Sequence, residues 1–151
     1  MTSRKAALSG RFLRTAEAFA ESLRHHAPIG SMNRSEPERD APLNVLFICS
    51  RNQWRSPTGE QVWRRHPRVN ARSAGTSAGA RRMVSAADLA WADVVLVMED
   101  KHKSRLLAEY RELLAHKPLY VLDIPDDYRY MDPELVELLE EPVAALLCLS
   151  R

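Results

Sequence analysis

The chain has 151 residues, enough for one domain with a real core and too few for two comfortable ones. Apolar residues make up 45% and charged residues 28%, which excludes a disordered or fibrous chain. A net charge of +2, from 22 basic and 20 acidic residues, is too balanced to indicate nucleic-acid binding.

The two cysteines, Cys49 and Cys148, have no paired spacing, so neither a disulfide framework nor a zinc site is expected. No apolar stretch reaches the roughly 20 residues that cross a bilayer, and the N-terminus lacks the apolar core of a secretory signal. A soluble protein of the reducing cytoplasm is the expectation. Arginine outnumbers lysine, which suits anion binding but equally reflects genomic base composition.

Residues 1–43 differ from the rest. In "SGRFLRTAEAFAESLRHH", Phe12, Ala16, Phe19, Ala20 and Leu23 recur near helical spacing and predict a short amphipathic helix. "APIGSMNRSEPERDAP" then mixes Pro, Gly, Ser and charge without period, a linker composition. A flexible N-terminal extension is expected here. The alternatives are a docked helix, a basic helix that binds a membrane or partner, and a true start at Met32.

Residues 44–151 alternate strand-like and helix-like signals. "NVLFI" is an apolar run suited to a buried parallel strand, and "SPTGEQVWRR" offers Ser56 as N-cap with Pro57 at the first helical position. "RVNARSAG" predicts a strand ending at Gly75, "VSAADLAWA" a helix capped by Ser85, and "DVVLVM" a third strand. "DKHKSRLLAEYRELL" reads as a helix and "PLYVLDI" as the last strand. The final helix starts with Asp132 as cap and Pro133 at its first position, with a kink or break expected near Pro142.

This alternation predicts a three-layer α/β/α domain around a four-stranded parallel sheet. Ligands of such sheets bind beyond the carboxyl ends of the strands, where the loops converge. Those loops are residues 49–55, the Gly75 region, Glu99 onward, and residues 125–130.

Within "CSRNQWRSP", Cys49 ends an apolar strand, and Arg55 and Ser56 follow six and seven residues later. A buried core thiol is one reading, and in a chain this rich in arginine Cys-x5-Arg alone is weak. Between a strand end and a helix start, however, the amides of Ser50, Arg51, Asn52, Gln53 and Trp54 are placed to curl around an anion, with the helix N-terminus aimed at it. That field favours a thiolate, the reactive form of Cys49. Arg55 suits two phosphoryl oxygens side by side, and Ser56 suits a hydroxyl bond to the sulfur. The loop has no glycine, so Asn52 is the residue expected to take a left-handed conformation.

"VLFICSRNQWRSP" resembles the signature of the low-molecular-weight protein tyrosine phosphatases, an apolar strand leading to Cys-x5-Arg-Ser with an asparagine three residues after the cysteine. "SAGTS" at residues 73–77, "ADVVLVMEDKHKSRL" and an acidic loop after the last strand extend the likeness from residue 44 to about residue 139, in a compact variant. The resemblance implies a phosphomonoesterase in which Cys49 forms a cysteinyl-phosphate, Arg55 binds the phosphoryl group, Ser56 assists the thiolate, Asn52 shapes the loop and Ser73 supports Asn52. It also implies an aspartate general acid after the last strand. Asp126 is preferred, as the first residue beyond Pro125, with Asp123 and then Asp127 as alternatives. Tyr128 and Tyr130 are candidates for the pocket wall, or simply exposed loop residues.

Phosphorylated proteins or small aryl phosphates are the implied substrates, with no cofactor or metal. An arsenate reductase, a phosphoarginine phosphatase and a non-catalytic phosphate-binding module are the rival readings. The sequence departs from the family at Arg51, usually glycine; at Trp54, often a second cysteine that shields the nucleophile; and at Gln53, which matches neither familiar specificity residue. Without a shielding partner Cys49 is expected to over-oxidise.

The five histidines, His25, His26, His66, His102 and His116, show no ligand spacing and read as surface or packing residues. Trp63, Trp91 and Cys148 read as core.

Overall fold

The structure, a computed structural model, describes residues 41–149. The predicted helix within 1–43 and the alternative start at Met32 lie outside the described residues.

The apolar run after residue 42 forms β1 (Leu43–Cys49), and α1 (Arg55–Trp63) follows the Cys49 loop. Next come β2 (Val69–Gly75), α2 (Ala86–Trp91) and β3 (Val94–Val97). The chain continues through α3 (Asp100–Leu114), β4 (Leu119–Val121) and α4 (Pro133–Leu147). The strands form one parallel sheet in the order β2-β1-β3-β4.

Strands buried on both faces need apolar side chains at every position, and β1 shows why its sequence is a continuous run. Val45, Phe47 and Cys49 join one core cluster with Trp63 of α1 and Leu135, Leu139 and Val143 of α4. Leu46 and Ile48 point the other way, into a second cluster with Leu89 of α2 and Leu106 and Leu114 of α3. The expected three-layer α/β/α architecture with a four-stranded parallel sheet is the observed one.

The strand order also locates the site. From β1 the chain steps outward to β2 and then returns to β3 on the opposite side, so the connections diverge at β1 and β3. A crevice opens at the carboxyl ends of the strands where such a reversal occurs. Cys49 ends β1 and Glu99 lies just beyond β3.

Several local expectations shift. Helix α1 begins at Arg55, so Ser56, the expected N-cap, lies inside it with its hydroxyl committed to Cys49, and the actual cap, Trp54, makes no side-chain bond because an indole carries no acceptor. Strand β4 is only three residues long. Its pairing nevertheless continues, since Leu122 and Ile124 donate to the Val97 and Met98 carbonyls at 2.8 and 2.9 Å while Asp123 between them adopts φ 57°.

Helix α4 runs unbroken through Pro142, whereas α3 carries the irregularity, at Tyr110 (φ −130°, ψ 37°). Cys148 is exposed and caps α4 in a left-handed conformation, so it is not the packing residue expected. Trp91 is half-buried, with Arg72 stacked 4.2 Å over its ring, while Trp63 is core and donates its indole N–H to Leu139 O at 2.7 Å. Among the described residues no helix is long and apolar enough to cross a membrane.

Candidate active site

The loop between β1 and α1 is shaped by the segment that follows β2. The carbonyls of Cys49, Ser50 and Arg51 accept from the backbone amides of Thr76, Ser77 and Arg81 at 3.0, 2.9 and 3.0 Å. In a trans peptide the carbonyl and the next N–H point opposite ways, so carbonyls drawn outward turn the amides of Ser50, Arg51 and Asn52 toward the loop's interior. Gly75 makes this approach possible. A Cβ there would lie 2.6 Å from both the Ser50 carbonyl oxygen and Ala80 Cβ, closer than real Cβ atoms come.

Asn52 takes the left-handed turn that the glycine-free loop requires, at φ 52°. Its amide nitrogen donates to Ser56 Oγ at 3.0 Å and to Ser73 Oγ at 2.9 Å, using both hydrogens. Ser73 in turn donates to Glu60 Oε1 at 2.5 Å. Ser56 has one hydrogen and two acceptors within reach, the Ala74 carbonyl at 3.3 Å and Cys49 Sγ at 3.0 Å. A thiolate at Cys49 draws that hydrogen to the sulfur, because bonds to charged acceptors are the stronger ones.

Arg55 is 2% exposed, and its charge is met from three sides. Nη1 donates to Glu99 Oε1 at 2.6 Å and to the Ile124 carbonyl at 2.8 Å, while Nε lies 3.5 Å from Asp126 Oδ1. The kink at Asp123 is what carries Ile124 to Arg55 and sends Asp126 beyond it. Burial pushes the Glu99 carboxyl up, but the hydrogen bond and charge of Arg55 outweigh it and hold the group below its ordinary 4.5.

The structure thus brings Cys49, Arg55, Ser56, Asn52, Ser73 and Asp126 together. Asp126 is 56% exposed and in reach of Arg55. Arg51 and Gln53 are exposed on the loop, and Trp54 is half-buried with the Arg129 guanidinium 6.0 Å from its ring centre. Tyr128 is buried and Tyr130 exposed, so the two tyrosines part company.

Four residues of the site escaped the sequence reading: Thr58, Glu60, Glu99 and His102. Thr58 is fully buried, donates to the Trp54 carbonyl at 2.6 Å and accepts from the Met131 amide at 2.9 Å, tying the loop between β1 and α1 to the acidic loop after β4. His102, read as a surface or packing residue, is buried beside the loop and bonds Ser50 Oγ at 2.8 Å. The signal available for Glu99 and His102 was their place just after the carboxyl end of β3.

No family model and no curated protein matches the chain. Solved structures do. The tyrosine phosphatase Wzb from Escherichia coli K30 aligns at TM-score 0.56 and 24% identity, over 71% of this chain and 98% of that one. YfkJ from Bacillus subtilis aligns at TM-score 0.57 and 22% identity, over 73% and 95%. The YwlE arginine phosphatase from Geobacillus stearothermophilus aligns at TM-score 0.53 and 20% identity, over 70% and 88%. The chain has the fold of the low-molecular-weight protein tyrosine phosphatases, as the Cys-x5-Arg-Ser signature led one to expect.

Proposed function

We propose that the protein is a phosphomonoesterase that works through a cysteinyl-phosphate. The observation that carries this reading is the convergence on one loop of Cys49 Sγ, held 3.0 Å from Ser56 Oγ, with Arg55 and with Asp126, which reaches 3.5 Å from Arg55.

In the first step the Cys49 thiolate attacks phosphorus while the inward amides and Arg55 hold the phosphoryl oxygens. With Nη1 engaged by Glu99 and Ile124, the Nε–Nη2 edge of the guanidinium is the one that chelates two of them. The ester bond breaks and Asp126 gives its proton to the leaving oxygen. In the second step Asp126 takes a proton from water, the resulting nucleophile attacks phosphorus, and the S–P bond breaks to return phosphate and thiolate.

Aryl phosphates, phosphotyrosine among them, are the proposed substrates. The fold's neighbours support this, several being named tyrosine phosphatases. Phosphoarginine is the competing substrate, since the Geobacillus neighbour is an arginine phosphatase. Arsenate reduction is disfavoured, because the two cysteines are free and Cys148 is exposed at the far end of α4.

The test is hydrolysis of p-nitrophenyl phosphate, phosphotyrosine peptide and phosphoarginine side by side. Cys49→Ser should abolish turnover, and Asp126→Asn should lower kcat by about 10²- to 10⁴-fold, the range of a lost general acid. Activity surviving Cys49→Ser sinks the mechanism. A larger loss in Asp123→Asn or Asp127→Asn than in Asp126→Asn moves the acid to that residue.

A further inference from the structure

Two side chains at the start of α3 reach opposite ends of the phosphate loop. Glu99 holds Arg55 at one end, at 2.6 Å, and His102 meets Ser50 Oγ at the other, at 2.8 Å. The direction of the second bond follows from the other ring nitrogen. His102 Nδ1 accepts the Glu99 backbone N–H at 3.0 Å, so in a neutral imidazole the single hydrogen sits on Nε2 and is donated to Ser50. Ser50 Oγ is then an acceptor toward His102, and its own hydrogen is left for another partner.

The surroundings keep the ring neutral. Burial first, and then the nearby charge of Arg55 and that of Lys101, push its pKa down to about 4 against the opposing pull of Glu99. A protonated ring would also set an Nδ1–H against the Glu99 N–H.

We propose that His102 is a positioning residue of the phosphate site: a fixed Nε2–H donor that anchors Ser50 and turns the serine's own hydrogen toward an oxyanion in the loop. The start of α3 is then a two-pronged clamp, with His102 setting one end of the cradle and Glu99 the other. This rests on the phosphatase reading for the identity of the oxyanion.

A double-mutant cycle in the full chain tests it, with His102→Ala, Ser50→Ala and the pair. The readouts are kcat and KM on p-nitrophenyl phosphate, inorganic phosphate affinity by calorimetry, and thermal unfolding. Each single change should weaken phosphate binding and kcat/KM by about tenfold, what one hydrogen bond to a charged group carries, and the pair should be no worse than either. His102→Gln, whose amide can accept from Glu99 and donate to Ser50, should recover most of the loss.

Losses that multiply in the pair, or no recovery in a His102→Gln protein of normal thermal stability, overturn the proposal. Should His102→Ala fail to fold, Ser50→Ala decides, and wild-type phosphate affinity in it overturns the clamp. Wild-type protein that binds phosphate without turnover sinks the phosphatase reading alone, and the cycle is then read on binding. Wild-type protein that binds no phosphate overturns both.

Discussion

Asn52 shows at the scale of one residue how a local constraint becomes a site. A loop that curls around an anion needs a left-handed turn, and glycine normally supplies it without strain. Asparagine supplies it with a side chain that braces Ser56 and Ser73 from within, so conformation and network come from the same residue. The two contributions separate by substitution. Asn52→Gly keeps the turn and deletes the bonds, which should lower stability by about 1–2 kcal/mol. Asn52→Ala deletes the bonds and strains the backbone, adding about 1 kcal/mol. Denaturant midpoints check this, and an alanine variant no less stable than the glycine one rules out the backbone contribution. Asn52 was legible in the sequence because the absence of glycine leaves few residues able to make the turn. Glu60 was not, since a glutamate midway along a helix reads as a solvated residue until β2 places Ser73 beside it.

At the scale of elements, the site depends on how closely α1 lies on β1 and on what ties the acidic loop to it. A Cβ on Gly59 would stand 2.6 Å from Phe47 Cδ1, with both residues buried in the first core layer. Alanine is the better helix former by about 1 kcal/mol, yet overpacking a close-packed contact costs about 1–3 kcal/mol. Gly59→Ala should therefore lose about 1 kcal/mol net, by the same denaturant measurement, and a gain would show that Phe47 can move aside. Thr58 is the tie between loops, through the Trp54 carbonyl and the Met131 amide. Thr58→Val keeps the shape and removes the hydroxyl, so the acidic loop loses its anchor while the loop between β1 and α1 keeps its own backbone bonds. Under the proposed mechanism kcat should fall by about tenfold with phosphate affinity little changed, the size of one net hydrogen bond. An equal loss in both would place the effect in the cradle instead.

For the whole molecule, the alternation of apolar runs and capped helices was enough to read a parallel α/β sheet, because strands buried on two faces must be apolar throughout. The order β2-β1-β3-β4 was not legible, since each βα unit fits on either side of β1 until the faces are packed. For the same reason the His102 environment stayed hidden: its burial comes from the β1 loop and α3 meeting, not from its sequence neighbours.

That burial should be visible in global stability as pH changes. The ring takes up a proton near 6.5 in the unfolded chain but only near about 4 in the fold. Between those values the unfolded state binds more protons, so stability rises with pH. The contribution of His102 is complete above about 6.5 and is lost as pH falls toward 4. Glu99, held below its ordinary 4.5, adds a loss of the same sign at the acid end, and it is present in a His102→Gln variant too, so a comparison of the two proteins largely cancels it. The wild-type unfolding free energy relative to that of His102→Gln should stay level above about pH 7 and fall steadily below about pH 6.5. A difference that stays constant down to about pH 4.5 would mean that the ring titrates alike in the folded and unfolded chains, and that the imidazole at Ser50 is not held neutral by the fold.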